Sequence, residues 1–349
     1  MGATKRNAVV FATDRALFPV AVFQATHVAS LGLPPDTDIV VATESADDVR
    51  LAIDSGAPFR PLLLDPGSIA GLQMRAGVYQ SPATYYRLFL PRLLGKDYRR
   101  LLYLDVDVHI HSNRLFGLFG IGMNGHAIGA VRDLLPFREN EKDQRELRNT
   151  TTNIERKYLN AGVLLIDPTE FAEQELEARV LAATRQRELY LQDQSALNIV
   201  LDGDWLELSL SFNMFVELWG SYVPQVCEPV VVHFIGSRKP WHGPRFTAAH
   251  PAKGHIERYF RDSPWPDFLA RFYGFEDAWR QLQHGRPPQP KPPGRVAFAS
   301  AFVFHLYSTR FADVDEGITT LRFDAMPGPR PIPLTKRPAP PPDPSAPSA

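Results

Sequence analysis

The chain has 349 residues and a formal net charge of −1, with 44% hydrophobic and 22% charged residues, an ordinary globular composition long enough for one large α/β domain or two smaller ones. The near-zero charge excludes a bulk field that would gather nucleic acid or anionic lipid, so we expect no nucleic-acid partner. The single cysteine, Cys227, excludes an intramolecular disulfide and a thiolate metal cluster, as fits a reducing compartment.

Hydropathy along the chain bears on its location. No stretch approaches about 20 uninterrupted apolar residues, the length that spans a bilayer. The N-terminal segment is basic, but its apolar run, 8–12, is too short for a signal peptide. We therefore expect a cytoplasmic protein.

The first two thirds of the chain predict alternating strands and helices. Short apolar runs bounded by polar or turn residues predict strands at 7–14, 37–45, 101–110, 126–133, 160–167 and 228–234. Helices are predicted over 16–32, 81–95 and, as one or two helices, 168–201. Gly32 ends the first helix, and Pro91 marks a break in the second. Apolar strands joined through helices indicate a parallel sheet covered on both faces.

Other segments carry a different signal. Residues 137–157 are densely charged and predict a surface excursion. About half of the 32 prolines lie beyond residue 286, and the Pro/Ala/Ser-rich end of the chain has almost nothing apolar to bury, so we predict a disordered tail. Residues 295–311 are apolar and aromatic with basic ends, which predicts packing on the domain, with a peripheral membrane or partner contact as the alternative.

The stretch LLYLDVDVHI, 101–110, carries two aspartates one residue apart. Residues i and i+2 of a strand face the same way, so Asp105 and Asp107 are expected to project together at the carboxyl end of the strand, where open α/β sheets bind ligands. Two unpaired carboxylates repel each other, and a hard divalent cation with substrate phosphates in its shell would resolve the conflict. A turn cap beside a solvated aspartate is the alternative.

A second apolar strand ends in the same manner. In PVVVHFIGSRKPWHG, 230–244, His233 ends the apolar run and precedes glycines and a lysine. His233 is therefore a candidate metal ligand beside a phosphate site, in which glycine lets the backbone approach phosphate oxygens and Lys239 supplies a positive charge. A structural histidine is the alternative.

An Asp-x-Asp pair after an apolar strand also opens the motif of phosphatases in the haloacid dehalogenase superfamily, where the first aspartate is a nucleophile. That motif normally lies on the first strand of its domain, and here at least two predicted strands precede it. A metal site is therefore favoured over a phosphatase nucleophile.

Several motifs, taken together and in order, resemble glycosyltransferase family 8, the GT-A-fold retaining transferases that include glycogenin and bacterial lipopolysaccharide galactosyl- and glucosyltransferases. They are VVFATD, ATYYRLFLPRLL, RRLLYLDVDVHI, YLNAGVLLID, DQSALNIVL and HFIGSRKPWHG. The resemblance implies a GT-A Rossmann-like fold, with a mixed, mostly parallel sheet flanked by helices. It divides the chain into a nucleotide-sugar and catalytic domain at 1–245, a helical and aromatic extension at 246–330 on the acceptor or membrane side, and the tail at 331–349.

The resemblance also implies roles for individual residues. Asp105 and Asp107 match the metal-binding pair and His233 matches the third ligand of an ion expected to be Mn²⁺, with Mg²⁺ as the alternative, which would bridge the diphosphate of a UDP-sugar. Positions matching other donor contacts are Ala12, Thr13 and Asp14 for uracil and ribose, Val106 within the metal motif, Gly236 and Lys239 for the diphosphate, and Arg87, Asp133, Asn160, Asp193 and Gln194 around the donor sugar.

One departure from the family concerns the nucleotide. The family often has Asp-x-x-Tyr after the first strand, with the tyrosine stacked on uracil, whereas this chain has DRAL. Leu17 can cover the base but offers no π-face, and the side chain of Ala16 cannot form a hydrogen bond. The resemblance therefore supports the metal site more fully than it supports selectivity for uridine, and the effect of Leu17 on the choice of nucleotide stays open.

The implied reaction is transfer of galactose or glucose from a UDP-hexose to a hydroxyl of a glycan or lipid-linked acceptor, with retention of anomeric configuration. Gln194 occupies the family position nearest the face opposite UDP, and an amide is a poor nucleophile, so we favour front-face attack. An inactive sugar-nucleotide-binding or scaffold protein and a nucleotidyltransferase are the alternatives. Lipopolysaccharide or a related glycan is the expected product, and peripheral contact with the inner face of the membrane is left open. The sequence leaves the number of subunits in the protein open.

Overall fold

A computed structural model describes residues 6–65, 67, 81–138, 140–186, 189–236, 239–241, 250–269 and 304–325. The strands within these residues are β1 (Arg6–Thr13), β2 (Thr37–Thr43), β3 (Arg60–Leu63), β4 (Tyr98–Leu104), β5 (Val108–Ile110), β6 (Ile128–Arg132), β7 (Leu159–Ile166), β8 (Leu206–Leu208), β9 (Met214–Phe215) and β10 (Val231–His233). Seven of these strands form the main sheet, in the order β3-β2-β1-β4-β7-β6-β8, and three form a second sheet, in the order β5-β10-β9.

The main sheet is mixed. Parallel pairs join β1 to β2 and β4, β2 to β3, and β6 to β8. Only β7 runs against its neighbours, pairing antiparallel with both β4 and β6. The prediction of a mixed, mostly parallel GT-A-like sheet is confirmed, and the antiparallel strand β7 is what makes the sheet mixed.

The helices flank this sheet. The α-helices of the described residues are α1 (Phe18–Ser30), α2 (Ala46–Asp54), α3 (Leu90–Leu94), α4 (Glu141–Thr150), α5 (Pro168–Glu173), α6 (Leu176–Gln186), α7 (Gln192–Leu201), α8 (Val223–Val226), α9 (Pro251–Arg261) and α10 (Ala312–Asp315). Single 3₁₀ turns and short 3₁₀ helices include Pro82–Leu88, Asn113–Gly120, Leu135–Phe137, Leu210–Phe212, Val216–Leu218 and Phe323–Ala325. No helix among the described residues has both the length and the apolar character needed to cross a membrane.

Alternation along the central strand explains why both faces of the sheet are covered. Val9 and Phe11 of β1 point into one apolar core, and Ala8 and Val10 point into another on the opposite face. All four side chains are fully buried. The continuous apolar run 8–12 of this strand is therefore buried on both faces of the sheet, as its sequence predicts.

The segment with the two aspartates differs from its prediction. Strand β4 stops at Leu104, and residues 105–107 form a turn rather than a continuation of the strand. The backbone N–H of Asp105 still donates to Gly162 O of β7, at 2.8 Å. The chain then leaves the main sheet, and β5 pairs with β10 in the second sheet. The alternation argument for the two carboxylates is therefore wrong, and the turn brings them together instead.

Two helical predictions and the predicted surface excursion also differ from the structure in detail. The helix expected at 81–95 is a 3₁₀ helix followed by α3, and Pro91 lies in the first turn of α3, where its missing N–H is harmless. The charged segment 137–157 contains α4, which buries Glu146 and Leu147. Residues 168–201 form three helices, because Asp167 caps α5 and α6 ends before residue 187.

Residues after the predicted boundary at 245 share the core of the preceding part. Ala252, Ile256 and Phe260 of α9 are fully buried in the same apolar cluster as β1 and β10. Leu306 and Phe311 join this cluster from the stretch 304–311, so this part of 295–311 packs on the domain. Residues 295–303 and the predicted disordered tail at 331–349 lie outside the described residues.

Candidate active site

Two carboxylates and an imidazole converge where the two sheets meet. One ligand atom from each of Asp105, Asp107 and His233 lies within 4.8 Å of the other two. His233 Nε2 is 3.3 Å from an Asp107 carboxylate oxygen and 3.9 Å from one of Asp105. The antiparallel register of β10 and β5 pairs His233 with Val108, so the second sheet presents the imidazole beside the turn. We call these three residues the carboxylate site.

The tautomer of His233 is set by a neighbour that the sequence did not single out. His233 Nδ1 is 2.9 Å from Asn213 Oδ1. The Asn213 amide nitrogen in turn donates to Asn160 Oδ1 at 2.8 Å, so the oxygen of Asn213 faces the ring as an acceptor. Nδ1 of His233 therefore carries the proton, and Nε2 keeps its lone pair toward the two aspartates.

The same amide chain continues to two other predicted residues. The Asn160 amide nitrogen donates to Asp133 at 2.7 Å, and the amide nitrogen of Gln194 donates to the same carboxylate oxygen at 3.1 Å. Gln194 Oε1 accepts the backbone N–H of Ala161 at 3.0 Å. Asn160, Asp133 and Gln194 are therefore one hydrogen-bonded network that reaches His233 through Asn213, and the bond to Ala161 fixes the orientation of the Gln194 amide.

A buried guanidinium joins the carboxylate site to α7. Arg87, 6% exposed, lies 3.0 Å from Asp105 and 3.0 Å from Asp193. Tyr103 donates to Asp105 at 2.6 Å and stacks its ring under the guanidinium at 4.7 Å. Burial alone would lower the pKa of Arg87, but Asp105 and Asp193 raise it, so the side chain stays charged.

Asp193 is the carboxylate of this region with a raised pKa. Burial raises the pKa of Asp193 to about 6, against the opposing effect of Arg87, and the negative charge of Asp105 adds to the rise. The side chain lies at the start of α7, beside Gln194. The Asp193 carboxyl therefore loses its proton close to pH 6, and Arg87 stabilises the negative charge that results.

Lys239 reaches the carboxylate site from the segment after β10. Its ammonium group pairs with Asp107 and donates to Phe234 O at 2.7 Å. Burial alone would raise the pKa of Asp107, but Lys239 and His233 outweigh that effect and hold the pKa well below its ordinary value. Gly236 has a φ of +67°, a left-handed backbone that favours glycine. This turn brings the chain back so that Lys239 meets Asp107.

Gly162 of β7 provides the space in which the imidazole lies. A Cβ at this position would be 2.7 Å from His233 Nδ1 and closer still to Cε1. A side chain there would therefore displace the ring. The glycine within the NAGVLL run is required by the close approach of the second sheet to the first.

The predicted nucleotide residues lie at the same edge of the main sheet. Ala12 and Thr13 are buried at the end of β1, which pairs with β4 on one side and β2 on the other. Asp14 follows, and its carboxylate accepts the backbone N–H of Leu17 at 3.1 Å, which forms the turn into α1. Burial, followed by Glu44, raises the pKa of Tyr86 to about 12, and Asp14 adds to the rise. The phenol of Tyr86 therefore lies near this edge.

Val106 contributes its backbone to the turn. The side-chain amide of Gln24 on α1 donates to Val106 O at 2.9 Å and also to Val108 O. Gln24 is fully buried. Helix α1 therefore stabilises the turn that carries the two aspartates through these two hydrogen bonds.

Three residues of the site were missed by sequence reasoning. Asn213 is a polar residue between two fully buried apolar ones, Phe212 and Met214, and this isolated amide was the available signal. Tyr103 and Gln24 lie within apolar stretches whose periodicity gives no indication of a polar role. Their contacts depend on pairing between segments that are distant in sequence.

Comparison with known families gives one match that covers more than half of the chain. The family described as Glycosyl transferase family 8 matches residues 53–244. This range contains the carboxylate site, Arg87, the amide network and Lys239. It begins after β1, so the residues expected to hold uracil and ribose precede the matched range.

Individual relatives agree with this match. The chain is 28% identical over 202 residues to a lipopolysaccharide 1,2-glucosyltransferase of Escherichia coli, with 55% of this chain and 57% of that protein covered. It is 30% identical over 175 residues to glycosyltransferase GlyF of Streptococcus pneumoniae, with 48% and 39% covered. The chain thus spans about half the length of the curated relatives it matches.

A solved structure supports the fold. Galactosyltransferase LgtC, crystallised with donor and acceptor sugar analogues, superposes with a TM-score of 0.60 and 23% sequence identity over 78% of this chain and 99% of that one. At this level of identity the likeness concerns the architecture, which is the mixed sheet with flanking helices described above.

Proposed function

The chain belongs to glycosyltransferase family 8, and we propose that it transfers a hexose, glucose or galactose, from a UDP-sugar to a hydroxyl of a glycan or lipid-linked acceptor with retention of configuration. The observation that carries the proposal is the convergence of Asp105, Asp107 and His233 at the sheet edge, with Lys239 beside them. The relatives named as lipopolysaccharide glycosyltransferases support the class of product.

The carboxylate site fits a divalent cation. Two carboxylates and one imidazole with its lone pair turned inward form the donor set that suits Mn²⁺, with Mg²⁺ as the alternative. When bound, such an ion would neutralise charge on the diphosphate of the departing UDP. Asn213 would not bind the ion itself, but it accepts a hydrogen bond from His233 Nδ1 and so holds the ring in the ligating tautomer.

Lys239 supports the binding of the diphosphate. In this structure its ammonium group pairs with Asp107. Asp107 would help to hold the cation, and the ammonium of Lys239 beside it would then be placed to pair with a phosphate oxygen of the donor.

Arg87, Asp193 and the amide network support the sugar side. Arg87 is held by Asp105 and Asp193, so it links the cation site to the start of α7. Asp133, Asn160 and Gln194 form a buried network whose remaining polar capacity would recognise sugar hydroxyls. These residues bind and orient the donor, because positioned polar groups provide much of the catalytic power of group transfer.

The geometry supports front-face attack. Gln194 already uses its carbonyl oxygen as an acceptor for Ala161 N–H, and an amide is a weak nucleophile in any case. Asp193 is paired with Arg87, which reduces its nucleophilicity. In this mechanism the acceptor hydroxyl attacks the anomeric carbon on the side that UDP leaves, and the departing phosphate oxygen takes its proton. The transition state resembles an oxocarbenium ion.

A covalent trapping experiment tests this mechanism. A slow fluorinated UDP-sugar is incubated with the protein, and the intact mass is measured. We expect the mass to remain that of the unmodified chain. A covalent sugar on Asp193 or another carboxylate would overturn front-face attack in favour of double displacement.

The acceptor side is proposed for the residues after 245. In the described part, Phe304 and Tyr307 are exposed on the helical stretch 304–308, at 57% and 39%. Peripheral contact with the inner face of a membrane would bring a lipid-linked acceptor to the site. Flotation with anionic liposomes tests this contact, and equal flotation of the native chain and a chain with Phe304→Ser and Tyr307→Ser would exclude this exposed stretch as the anchor.

The central experiment measures UDP release from UDP-glucose, UDP-galactose and UDP-N-acetylglucosamine, with Mn²⁺ or with chelator. We expect turnover of one donor that chelator abolishes, that Asp107→Asn loses, and that Asp204→Asn keeps. Asp204 is a suitable control because its carboxylate is 71% exposed and pairs with His126 away from the site. A folded protein that turns over no donor would instead use another nucleotide, in keeping with Leu17 in place of the family's tyrosine, or would bind the sugar nucleotide without reaction.

A further inference from the structure

Five of the ten histidines of the chain pack together behind the turn that carries the two aspartates. They come from α1, from β5 and the residue after it, and from the start of α9: His27, His109, His111, His250 and His255. The rings of His27 and His109 are stacked with centroids 5.4 Å apart, and that of His255 meets His27 edge-on at 4.7 Å. Nothing in the proposed transfer reaction uses these side chains.

Three of the five have ligand geometry. One ring nitrogen from each of His27, His109 and His255 lies within 4.8 Å of the other two. A tetrahedral site with metal–nitrogen bonds of about 2.0–2.1 Å places its ligand nitrogens about 3.3 Å apart. The His27 and His109 rings are nearly parallel, at an interplanar angle of 4°, so ligation would require at least one of them to rotate toward the other two nitrogens. We call these three residues the imidazole cluster.

His109 has an unused polar atom at this place. The side chain is 7% exposed, and its Nδ1 is buried without a hydrogen-bond partner among the residues that the structure describes. A buried ring nitrogen without a partner is unfavourable in an apolar surrounding. A ligand bound to the imidazole cluster would remove this penalty.

His27 is already held in the way that metal-binding histidines are held. Its Nε2 lies 2.7 Å from the backbone carbonyl of Ile110. A carbonyl oxygen only accepts, so Nε2 carries the proton and Nδ1 keeps the lone pair. Metal-ligating histidines commonly donate their other ring N–H to a backbone carbonyl, which fixes tautomer and orientation.

The neighbouring histidines have other tasks. His250 caps α9 by accepting the backbone N–H of Ala252 on Nδ1, at 3.1 Å, so its Nε2 carries the proton and has no lone pair for a cation. The ring of His111 stacks on Trp219 at 5.5 Å. Ligation therefore falls to the three residues of the imidazole cluster, and the partial exposure of His27 and His255 leaves a path for the ion and for a solvent ligand.

We propose that His27, His109 and His255 form a second metal site that takes Zn²⁺ or a similar borderline transition ion, with solvent as the fourth ligand. Three imidazoles without a carboxylate favour zinc, nickel or cobalt over the magnesium and manganese that oxygen ligands select. Burial, followed by the nearby His27, lowers the pKa of His255, which keeps its imidazole neutral as ligation requires.

Its position gives the ion a structural role. The three ligands belong to α1, β5 and α9, so one ion would fasten the helix after the segment 242–249 to the two elements that support the Asp-x-Asp turn. The same helix α1 already holds this turn through Gln24. A bound ion would therefore link α9 to α1 and β5, the two elements next to the turn that carries Asp105 and Asp107.

Co²⁺ is the probe, because tetrahedral and octahedral Co²⁺ differ strongly in their visible absorption. The full chain is stripped with chelator, desalted and titrated with Co²⁺, then with Zn²⁺. We expect intense tetrahedral absorption that saturates at one ion per chain, is removed by Zn²⁺, and is accompanied by a higher melting temperature. Asp107→Asn should keep the absorption, since the carboxylate site does not contribute to it.

Variants test the assignment of ligands. His255→Ala and His27→Gln should weaken Co²⁺ binding by more than about 100-fold, since loss of an outer-shell partner alone costs 10–100-fold. His126→Ala, which alters a histidine paired with Asp204 outside the cluster, should bind as the native chain does. His255 is on the partly exposed side of α9, so its loss leaves the fold intact.

Three results would overturn the proposal. They are weak octahedral absorption alone, tetrahedral absorption that persists in both His255→Ala and His27→Gln, and a melting temperature of the native chain that Zn²⁺ leaves unchanged. Because the readout is spectroscopic, it is independent of whether any UDP-sugar is turned over.

Discussion

The carboxylate site and the imidazole cluster share one short segment, 105–109, yet different forces hold them. The carboxylate site is built from charges: Arg87 compensates Asp105, and Lys239 compensates Asp107. The imidazole cluster is built from neutral aromatic rings that stack on one another and on Phe23. The first arrangement needs a countercharge at every carboxylate, whereas the second needs its rings to stay uncharged.

This contrast teaches which cation each place would select. Hard oxygen ligands beside a phosphate site suit Mn²⁺ or Mg²⁺, and imidazoles in an aromatic surrounding suit Zn²⁺. Zn²⁺ binds most sites more tightly than Mn²⁺ or Mg²⁺ does. The two sites would therefore have to select different metals through the type of ligand that each offers. Variants that alter one site and spare the other can break this comparison.

Asp107→Asn should have the largest effect. It removes a ligand and the partner of Lys239 while preserving shape, and we expect UDP release to fall about 10³-fold, because a metal ion contributes several kcal/mol to transition-state stabilisation. Steady-state rates at saturating Mn²⁺ give the measurement, and tetrahedral Co²⁺ absorption should be unchanged. A loss of less than tenfold would contradict the assigned role of Asp107.

Gly162→Ala should act on the same site through packing. The added Cβ would lie 2.7 Å from His233 Nδ1, so the ring must move. We expect the Mn²⁺ concentration for half-maximal activity to rise about 100-fold and the free energy of unfolding to fall by about 1–3 kcal/mol. Gly129→Ala on β6 is the matched control, because its Cβ would meet Leu165 at an ordinary 3.5 Å. Equal behaviour of the two variants in a Mn²⁺ titration would refute this account.

Asn213→Leu should have a smaller and more specific effect. It keeps the volume but removes the acceptor of the His233 Nδ1–H, so the Mn²⁺ concentration for half-maximal activity should rise about 10–100-fold. Saturating Mn²⁺ should restore most of the rate. A rate that excess Mn²⁺ fails to restore would mean that Asn213 acts on the substrate rather than on the histidine.

A pH titration acts on stability rather than on turnover and concerns Asp193. The pKa of Asp193 in the folded protein, about 6, lies above its ordinary 3.8, so protonation favours folding. That stabilisation is present below about pH 4 and is lost as the pH rises through about 6. As the pH rises from about 4 to about 7, the native chain should therefore lose on the order of 3 kcal/mol of unfolding free energy relative to Asp193→Asn.

Urea unfolding at a series of pH values measures this difference between native and variant chains. Burial, followed by His111, lowers the pKa of His250 to about 3, so His250 takes up a proton on unfolding in this window, and the comparison with Asp193→Asn removes that contribution because both chains share it. A difference between native and Asp193→Asn that stays constant from about pH 4 to about pH 7 would refute the raised pKa.

The long strands β1, β2, β4, β6 and β7 and the short strand β10 were readable from the sequence because each is an apolar run with a polar or turn boundary, whereas β3, β8 and β9 have only two to four residues each and were missed. The prediction that Asp105, Asp107 and His233 end such runs was also accessible, since an apolar strand that stops at a charge is a local feature. Their common orientation was derived from strand alternation, and here the structure differs, because residues 105–107 turn out of β4.

The sequence by itself determined six strand regions of the α/β fold and the residues expected at the sheet edge, and the family resemblance supplied the mixed, mostly parallel sheet, whereas the short strands β3, β8 and β9 and the helix α2 gave no signal that was used. Only the tertiary structure decided that β5 leaves the main sheet to pair with β10, that Asn213 sets the tautomer of His233, that Gly162 makes room for the ring, and that histidines from three distant segments meet. The physical reason is that local propensity and periodicity act over a few residues, whereas these contacts depend on the register and packing of elements tens to hundreds of residues apart.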